Sequence, residues 1–376
     1  MRKKIMFFLF SLSGGGAERT VVNIINNLDQ TKFEPLLVLG TDKNNDYYYL
    51  LNKNIRVRVL GCTKLRYCTL KLSKCIKQED PDLLFSTINA NNIILLLAKI
   101  LSFSKVPTIV REANNRTQSG SVTFFNKIIT KILYNYFSDK VISLSEGVKN
   151  DLIRNFHVRE QKINVIYNPI EVDKIQALSK EVVHDFNKNK NEKILVAVGR
   201  LVEQKDFKTL IKAFNRVSKE VNVRLVILGK GPKEKELKQL AEDMGIQHKI
   251  EFLGFKQNPY KYMRLADVFI LSSKWEGFGH VIVEAMSTGT PVISTNCQSG
   301  PEEIIKDNKY GILTPVGNDK ELSQAAISLL KDKKMQNELR ERGRERAKDF
   351  DVKKIAHKYE EVFDEVMLNN GRNIKY

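Results

Sequence analysis

Short apolar runs alternate with longer stretches in which apolar residues recur every three or four positions, and this alternation fills nearly the whole chain. A short apolar run bounded by turn residues suits a buried strand, and the longer periodic stretches suit amphipathic helices laid against it. On that reading the first half holds strands near 5–10, 35–39, 57–60, 83–87, 108–110, 141–144 and 164–166. A polar, lysine-rich stretch, "SKEVVHDFNKNKNEK" at 179–193, then interrupts the pattern as a linker would. The second half restarts with "KILVAVGR", with strands near 194–199, 223–228, 249–253, 267–271 and 291–294 and helices near 207–219, 233–244, 281–288, 301–307 and 318–332. Two charged helices, near 334–348 and 353–368, follow. Strands alternating with helices predict parallel sheets, so the expected fold is α/β, two doubly wound domains facing each other across a cleft. Ligands of such sheets bind outside the carboxyl ends of the strands, which directs the search for chemistry to the loops that follow strands.

Composition narrows the class. With 376 residues, 42% hydrophobic and 28% charged, the chain reads as an ordinary globular protein of two to three domains at roughly 150 residues each. The opening "MRKKIMFFLF" imitates a secretory leader, but its apolar run is short and a glycine loop follows at once, so a first buried strand is expected. "NNIILLLAKILSF" at 91–103 is broken by Lys99 and falls short of the ~18–20 apolar residues that span a bilayer. Cys62, Cys68, Cys75 and Cys297 match no zinc spacing and do not make a disulfide framework, so free thiols are expected. The net charge of +18 is uneven: residues 1–180 hold 27 Lys+Arg against 15 Asp+Glu, and the remainder holds 35 against 29. A basic front half implies anionic company, whether nucleic acid, an acidic membrane surface or phosphorylated substrates.

Several loops are candidates. "FSLSGGGAERTVVNII" puts glycines between the first strand and first helix, where backbone amides can approach a phosphate or sugar; a plain tight turn would look the same. In "VAVGRLVEQKDF" Arg200 follows a strand end and Lys205 precedes a helix, two cations suited to a diphosphate. "EFLGFKQNPYKYM" ends a strand in glycine, and its Phe255 could face a base, although core packing is the commoner fate of a phenylalanine. The strongest signal is "KWEGFGHVIVEAM": Glu276 sits in a glycine loop and Glu284 near a helix start, placed to accept hydrogen bonds from hydroxyl pairs. Paired carboxylates of a hydrolase are the competing idea. Asp80 and Asp82 form an Asp-x-Asp motif, but they precede a strand rather than follow one, so metal binding is not expected there.

These residues resemble the family 4 (group 1) glycosyltransferases, retaining enzymes of the GT-B fold. The resemblance covers nearly the whole chain and rests on Gly15-Gly16-Ala17-Glu18, "VGRLVEQKD", "GKGP", the E-x7-E pair Glu276 and Glu284, and "SGPEEII" at 299–305. It implies an acceptor-binding Rossmann-like domain at 1–180, a nucleotide-sugar domain at 181–350, and a C-terminal helix at 351–376 that returns to the first domain. Arg200 and Lys205 would neutralise the donor diphosphate as its charge grows. Glu284 would bind ribose hydroxyls, and Glu276 with the backbone of Gly277, Phe278 and Gly279 would hold the donor sugar. Phe255 and His280 would border the donor, though a lone histidine is more often structural. Gly15 and Gly16 would let acceptor and diphosphate meet, with Glu18, Glu112 and Asn114 (or Asn115) on the acceptor side. The resemblance implies retaining transfer from a nucleotide sugar, most readily UDP-linked, without a metal or other cofactor, the departing phosphate helping to deprotonate the acceptor. One departure stands out: many relatives carry a histidine where this chain has Ala113.

A membrane partner is also implied. "SVTFFNKIITKILYNYFSDK" at 121–140 has an apolar stripe at helical spacing, which can lie in a membrane interface or, more commonly, be buried within a domain. Lys64, Arg66, Lys71, Lys74 and Lys77 add basic charge to the same domain. With the resemblance, they point to a cytoplasmic enzyme resting on the inner face of the membrane, acting on a polyprenyl-diphosphate-linked sugar in surface-glycan assembly. A soluble or protein acceptor is the alternative. A basic nucleic-acid-binding protein is the rival from another class, but no helix-turn-helix, zinc-finger or RNA-recognition signature is present.

Overall fold

In a computed structural model, described for residues 2–13, 15–118, 120, 122–186 and 188–372, the chain forms two compact units. One comprises the residues up to Pro169 together with those from Val352 onward, and the other is Ile170–Asp351.

Among the described residues the first unit has seven parallel strands: β1 (Lys3–Leu9), β2 (Phe33–Leu39), β3 (Arg56–Val59), β4 (Leu83–Thr87), β5 (Thr108–Glu112), β6 (Lys140–Ser143) and β7 (Ile163–Val165). Their order is β3-β2-β1-β4-β5-β6-β7, so the chain reverses its direction of travel between β1 and β4. Helices α1 (Gly16–Asn27), α2 (Cys68–Glu79), α3 (Asn89–Leu101), α4 (Phe124–Tyr136) and α5 (Glu146–Phe156) connect them. β1 shows why the strands read as unbroken apolar runs: Ile5, Phe7 and Leu9 join one core, while Met6 and Phe8 join another on the opposite face.

The second unit begins with α6 (Val172–Ser179) and has strands β8 (Lys193–Val198), β9 (Val223–Leu228), β10 (Ile250–Gly254), β11 (Val268–Leu271), β12 (Val292–Thr295) and β13 (Ile312–Thr314). The order is β10-β9-β8-β11-β12-β13, all parallel, with the reversal between β8 and β11. Its remaining helices are α7 (Phe207–Glu220), α8 (Glu234–Asp243), α9 (Tyr260–Leu265), α10 (His280–Thr288), α11 (Pro301–Ile305), α12 (Asp319–Lys331) and α13 (Lys333–Ala347). The last helix, α14 (Val352–Arg372), belongs to the first unit. It lays Ile355, Tyr359, Phe363 and Val366 beside α1 on the sheet, with the Phe363 ring 5.8 Å from that of Phe85.

A buried cation fastens that helix. Arg111 is fully buried in β5. Its Nε donates to the Tyr359 hydroxyl at 3.1 Å, one Nη to Thr87 Oγ1 at 2.9 Å and the other to Asn168 Oδ1. The charge is thus held by neutral oxygens from β4, α14 and the segment just before Pro169.

The structure corrects three expectations. The division falls after Pro169, not near 180, because α6 packs on α9 and α10 with Val172 and Ile175 buried. The lysine-rich stretch that looked like a linker is strapped to the second unit: Asp185 pairs with Lys256 and Tyr262, Lys188 with Asp267, and Phe186 is buried beneath Arg224. α4 does not bury its apolar stripe. It buries Thr130, Leu133, Tyr134 and Asn135 and leaves Phe124, Phe125, Ile128 and Ile132 exposed. No helix among the described residues is long and apolar enough to cross a membrane.

Candidate functional site

The carboxyl edge of the second sheet gathers the signals that the sequence scattered. β8 is followed by Gly199-Arg200 and β9 by Gly229-Lys230, and both cationic side chains are exposed without an ion-pair partner among the described residues. Their loops touch backbone to backbone. Gly229 has φ +142°, and a Cβ there would lie 1.9 Å from the Gly199 carbonyl oxygen, so no other residue fits without moving the loop. Leu201 N–H donates to Lys230 O at 3.0 Å and Gly229 N–H to Gly254 O at 2.8 Å. These bonds tie the ends of β8, β9 and β10 into one rigid rim.

At the reversal point between β8 and β11 the rim carries its only strongly buried ion pair among the described residues. Lys205 Nζ lies 2.5 Å from Glu276 Oε1, with the two side chains 15% and 8% exposed. Ser273 Oγ donates to the same oxygen at 2.7 Å. Glu276 Oε2 has no partner among the described residues. Ser272 Oγ, donating to Lys205 O at 2.8 Å, and Gln204 Nε2, donating to Trp275 O at 2.9 Å, lock the two loops together. Removing either charge would strand the other, at a cost of about 3–5 kcal/mol. Nearby Cys297 is buried, and that burial, with the Glu276 charge behind it, pushes its thiol up to about 12.

The glycine loop leads from Glu276 into α10. Gly300, at φ +88°, lets the following loop come so close that a Cβ would meet Phe278 O at 2.0 Å. The Phe278 ring is buried against Phe350 and His280, with centroids at 5.3 and 5.8 Å, so at Phe278 only the backbone can face a ligand. No side chain caps α10 at Gly279, and the positive end of the helix lies at the end of this loop. Glu284 is buried one turn further on, with the Tyr260 hydroxyl 3.4 Å from Oε1. Phe255, for which core packing was the commoner expectation, is instead 72% exposed at the end of β10.

The first unit has its own polar cluster where β4 and β5 end. Glu112 is buried, and Tyr134 donates its hydroxyl proton to Glu112 Oε1. Asn92 Nδ2 donates to that hydroxyl at 2.9 Å, and Asn89 Nδ2 reaches both Glu112 Oε1 (3.3 Å) and Tyr134 (3.2 Å). Burial pushes the Glu112 carboxyl above its ordinary value, against the charge of Arg116 and the hydrogen bonds from Tyr134 and the two asparagines. Ile88, just before Asn89, has φ +73° and ψ 124°, a conformation that costs a β-branched residue of order 1–3 kcal/mol. Asn114 is exposed, Ala113 half-buried and Asn115 buried. Gly15 and Gly16 open α1 without a side-chain cap, and the Glu18 carboxylate lies where a Cβ on Gly15 would stand.

A family model described as "Glycosyl transferases group 1" matches residues 179–346, and one described as "Glycosyltransferase Family 4" matches residues 14–174. A Campylobacter jejuni protein named N-acetylgalactosamine-N,N'-diacetylbacillosaminyl-diphospho-undecaprenol 4-alpha-N-acetylgalactosaminyltransferase is 30% identical, across 94% of this chain and 97% of its own. The chain belongs to the family 4 (group 1) glycosyltransferases. A second C. jejuni relative, GalNAc-alpha-(1->4)-GalNAc-alpha-(1->3)-diNAcBac-PP-undecaprenol alpha-1,4-N-acetyl-D-galactosaminyltransferase, is 26% identical across 96% of this chain and 99% of its own. The Anabaena HepE structure in complex with UDP and glucose superposes with a TM-score of 0.81 at 22% identity, covering 97% of this chain and all of that one, which shows the GT-B fold. In this glycosyltransferase the site residues read from sequence reach the carboxyl edge of one sheet or the other. Sequence reasoning missed Lys230, Ser273 and Tyr260. The repetition of Gly-Arg and Gly-Lys after two successive strands was the available signal for Lys230.

The raised Glu112 pKa gives a stability signature. The group holds its proton more tightly folded than unfolded, so stability is lost as pH rises through the folded pKa. Glu112→Gln, which cannot ionise, will therefore melt above wild type at about pH 8, and the gain will vanish near pH 4. Thermal unfolding across pH checks this, and a pH-independent difference would contradict it.

Proposed function

We propose that this glycosyltransferase moves a sugar, with retention, from a UDP-linked hexose or N-acetylhexosamine to a hydroxyl of a polyprenyl-diphosphate-linked saccharide in bacterial surface-glycan assembly. The observation that carries the donor half is the Lys205–Glu276 pair at the reversal point, flanked by the exposed cations Arg200 and Lys230. A diphosphate arriving there competes with Glu276 for Lys205 and meets Arg200 in fork geometry. Glu276, partly released, accepts a hydroxyl of the donor sugar through Oε2, while Glu284 accepts the ribose hydroxyls. The positive end of α10 favours the phosphate oxygens. As the glycosidic bond breaks, charge grows on the diphosphate, and these fixed cations and dipoles stabilise it most at that moment. The departing phosphate takes the acceptor proton, and no metal or other cofactor is needed in this scheme. The names of the two C. jejuni relatives and the UDP held by the Anabaena neighbour support the acceptor and donor classes.

A membrane surface fits the first unit. α4 exposes Phe124, Phe125, Ile128 and Ile132, and Leu70, Leu101 and Phe103 are exposed on or after α2 and α3. Lys64, Arg66, Lys74, Lys77 and Lys131 are exposed among them. Apolar rings entering the interface, with each nearby cation contributing ~1 kcal/mol toward anionic lipid, would hold the enzyme at the inner face of the membrane.

UDP and UDP-sugars will raise the melting temperature, and Glu284→Ala will weaken UDP binding roughly ten- to a hundredfold, the 1.5–3 kcal/mol of a hydrogen bond to a charged group. If no nucleotide sugar stabilises the protein, the donor assignment fails. The protein will co-sediment with phosphatidylglycerol vesicles, and Lys→Gln changes at Lys64, Lys74, Lys77 and Lys131 together will release it. Equal sedimentation of the variant would overturn the membrane assignment.

A further inference from the structure

The polar cluster at the ends of β4 and β5 is not explained by folding alone. Its carboxyl and phenol are buried where an apolar pair would cost less, and the backbone before Asn89 is held at positive φ by a residue poorly suited to it. Such strain and such burial cluster where a side chain must be aimed.

The direction of the hydrogen bonds says what is aimed. Tyr134 gives its proton to Glu112 Oε1, so its oxygen can only accept, and it accepts from Asn92 Nδ2 at 2.9 Å and from Asn89 Nδ2 at 3.2 Å. Asn92 is fixed in turn, its Oδ1 accepting from Ser86 at 2.6 Å and its Nδ2 also donating to Arg111 O at 3.0 Å. Glu112 Oε1 accepts from Asn89 as well, at 3.3 Å, and Thr130 Oγ1 lies 3.5 Å from the same nitrogen. Every contact to the Asn89 amide therefore lands on its nitrogen. Its Oδ1 has no partner among the described residues, and the residue is half-exposed at the carboxyl edge, the end of the sheet where ligands bind.

We infer that Asn89 binds a hydroxyl of the acceptor through Oδ1, with buried Glu112 and Tyr134 acting as positioning residues that turn the amide outward. The inference rests on the glycosyl-transfer reading and supplies its acceptor contact. It also changes what Glu112 does: the carboxyl, proposed as an acceptor ligand itself, is too deeply buried to touch one and works through Asn89. An amide oxygen does not take up a proton at working pH, so Asn89 orients the hydroxyl and leaves deprotonation to the departing phosphate. This suits a chain in which Ala113 occupies the place of a histidine.

The test is transfer from UDP-N-acetylhexosamine to a short-chain polyprenyl-diphosphate N-acetylhexosamine, with UDP affinity measured on the same preparations. Asn89→Ala will lower kcat/KM for the acceptor about ten- to a hundredfold, as expected for a misdirected reacting group, while UDP affinity and the donor KM stay at wild-type values. Glu112→Leu and Tyr134→Phe will lose transfer in the same pattern, and Glu112→Gln, which keeps an accepting Oε1, will restore a large part of what Glu112→Leu loses. Wild-type transfer by Asn89→Ala would overturn the inference and leave the proposed function standing. So would a loss that appears equally in UDP affinity, which marks a folding defect. A wild-type enzyme that binds UDP but transfers nothing to this acceptor would remove the acceptor assignment and this inference with it; one that binds no UDP would remove the donor assignment independently.

Discussion

A lysine and a glutamate taken out of water together hold each other in place, and whatever separates them must offer charge in return. Lys205 and Glu276 are in that position, 2.5 Å apart and nearly enclosed. The sheet order places them there. β8 and β11 are neighbours because the chain reverses its winding between them, so the loops that follow these two strands are free to meet in the crevice where they diverge. Around that pair the rim is made rigid by glycine contacts and backbone hydrogen bonds, and the exposed cations Arg200 and Lys230 enlarge the positive field without being neutralised. The fold thus stores one compensated charge beside two uncompensated ones. A diphosphate is the kind of ligand that can redistribute them.

In the first unit Arg111 and Glu112 rely on neutral hydrogen-bond partners, with the charge of Arg116 also acting on Glu112. Arg111 is buried among neutral oxygens and ties α14 to β5, while Glu112, its neighbour in the strand, turns to the other face and is satisfied by a phenol and amides. Adjacent residues of one strand point to opposite faces, so this single Arg-Glu dipeptide serves both layers. One side secures the returning helix, and the other shapes the carboxyl edge.

How much of this could be read beforehand depends on the range of the interaction. Strands such as β4 and β9 were legible because a parallel strand buried on both faces is a continuous apolar run. β13 (Ile312–Thr314), three residues with two only partly buried, was not read, although β7, equally short, was. Glu276, Arg200 and Lys205 were visible as residues in strand-following loops, and Glu284 near a helix start. The pairing of Lys205 with Glu276 was not, because 71 positions separate them and strand order alone makes them neighbours. The same holds for Tyr134 and Glu112, which come from a helix and a strand 22 positions apart. The stretch 179–193 misled for a related reason: its composition is that of a linker, and only the positions of Asp267, Lys256 and Tyr262 turn it into a strap.

The central claim is that Glu276 holds Lys205 until a diphosphate takes it over. Calorimetric titration of UDP into wild type and Glu276→Gln tests it directly. If the claim is right, removing the competing carboxylate frees Lys205 and tightens UDP binding several-fold, in line with about 1 kcal/mol or more for a partly buried charge contact, even though transfer of the sugar is lost. Weaker or unchanged UDP binding by a folded Glu276→Gln protein would show that Lys205 does not serve the diphosphate, and would contradict the account at its centre.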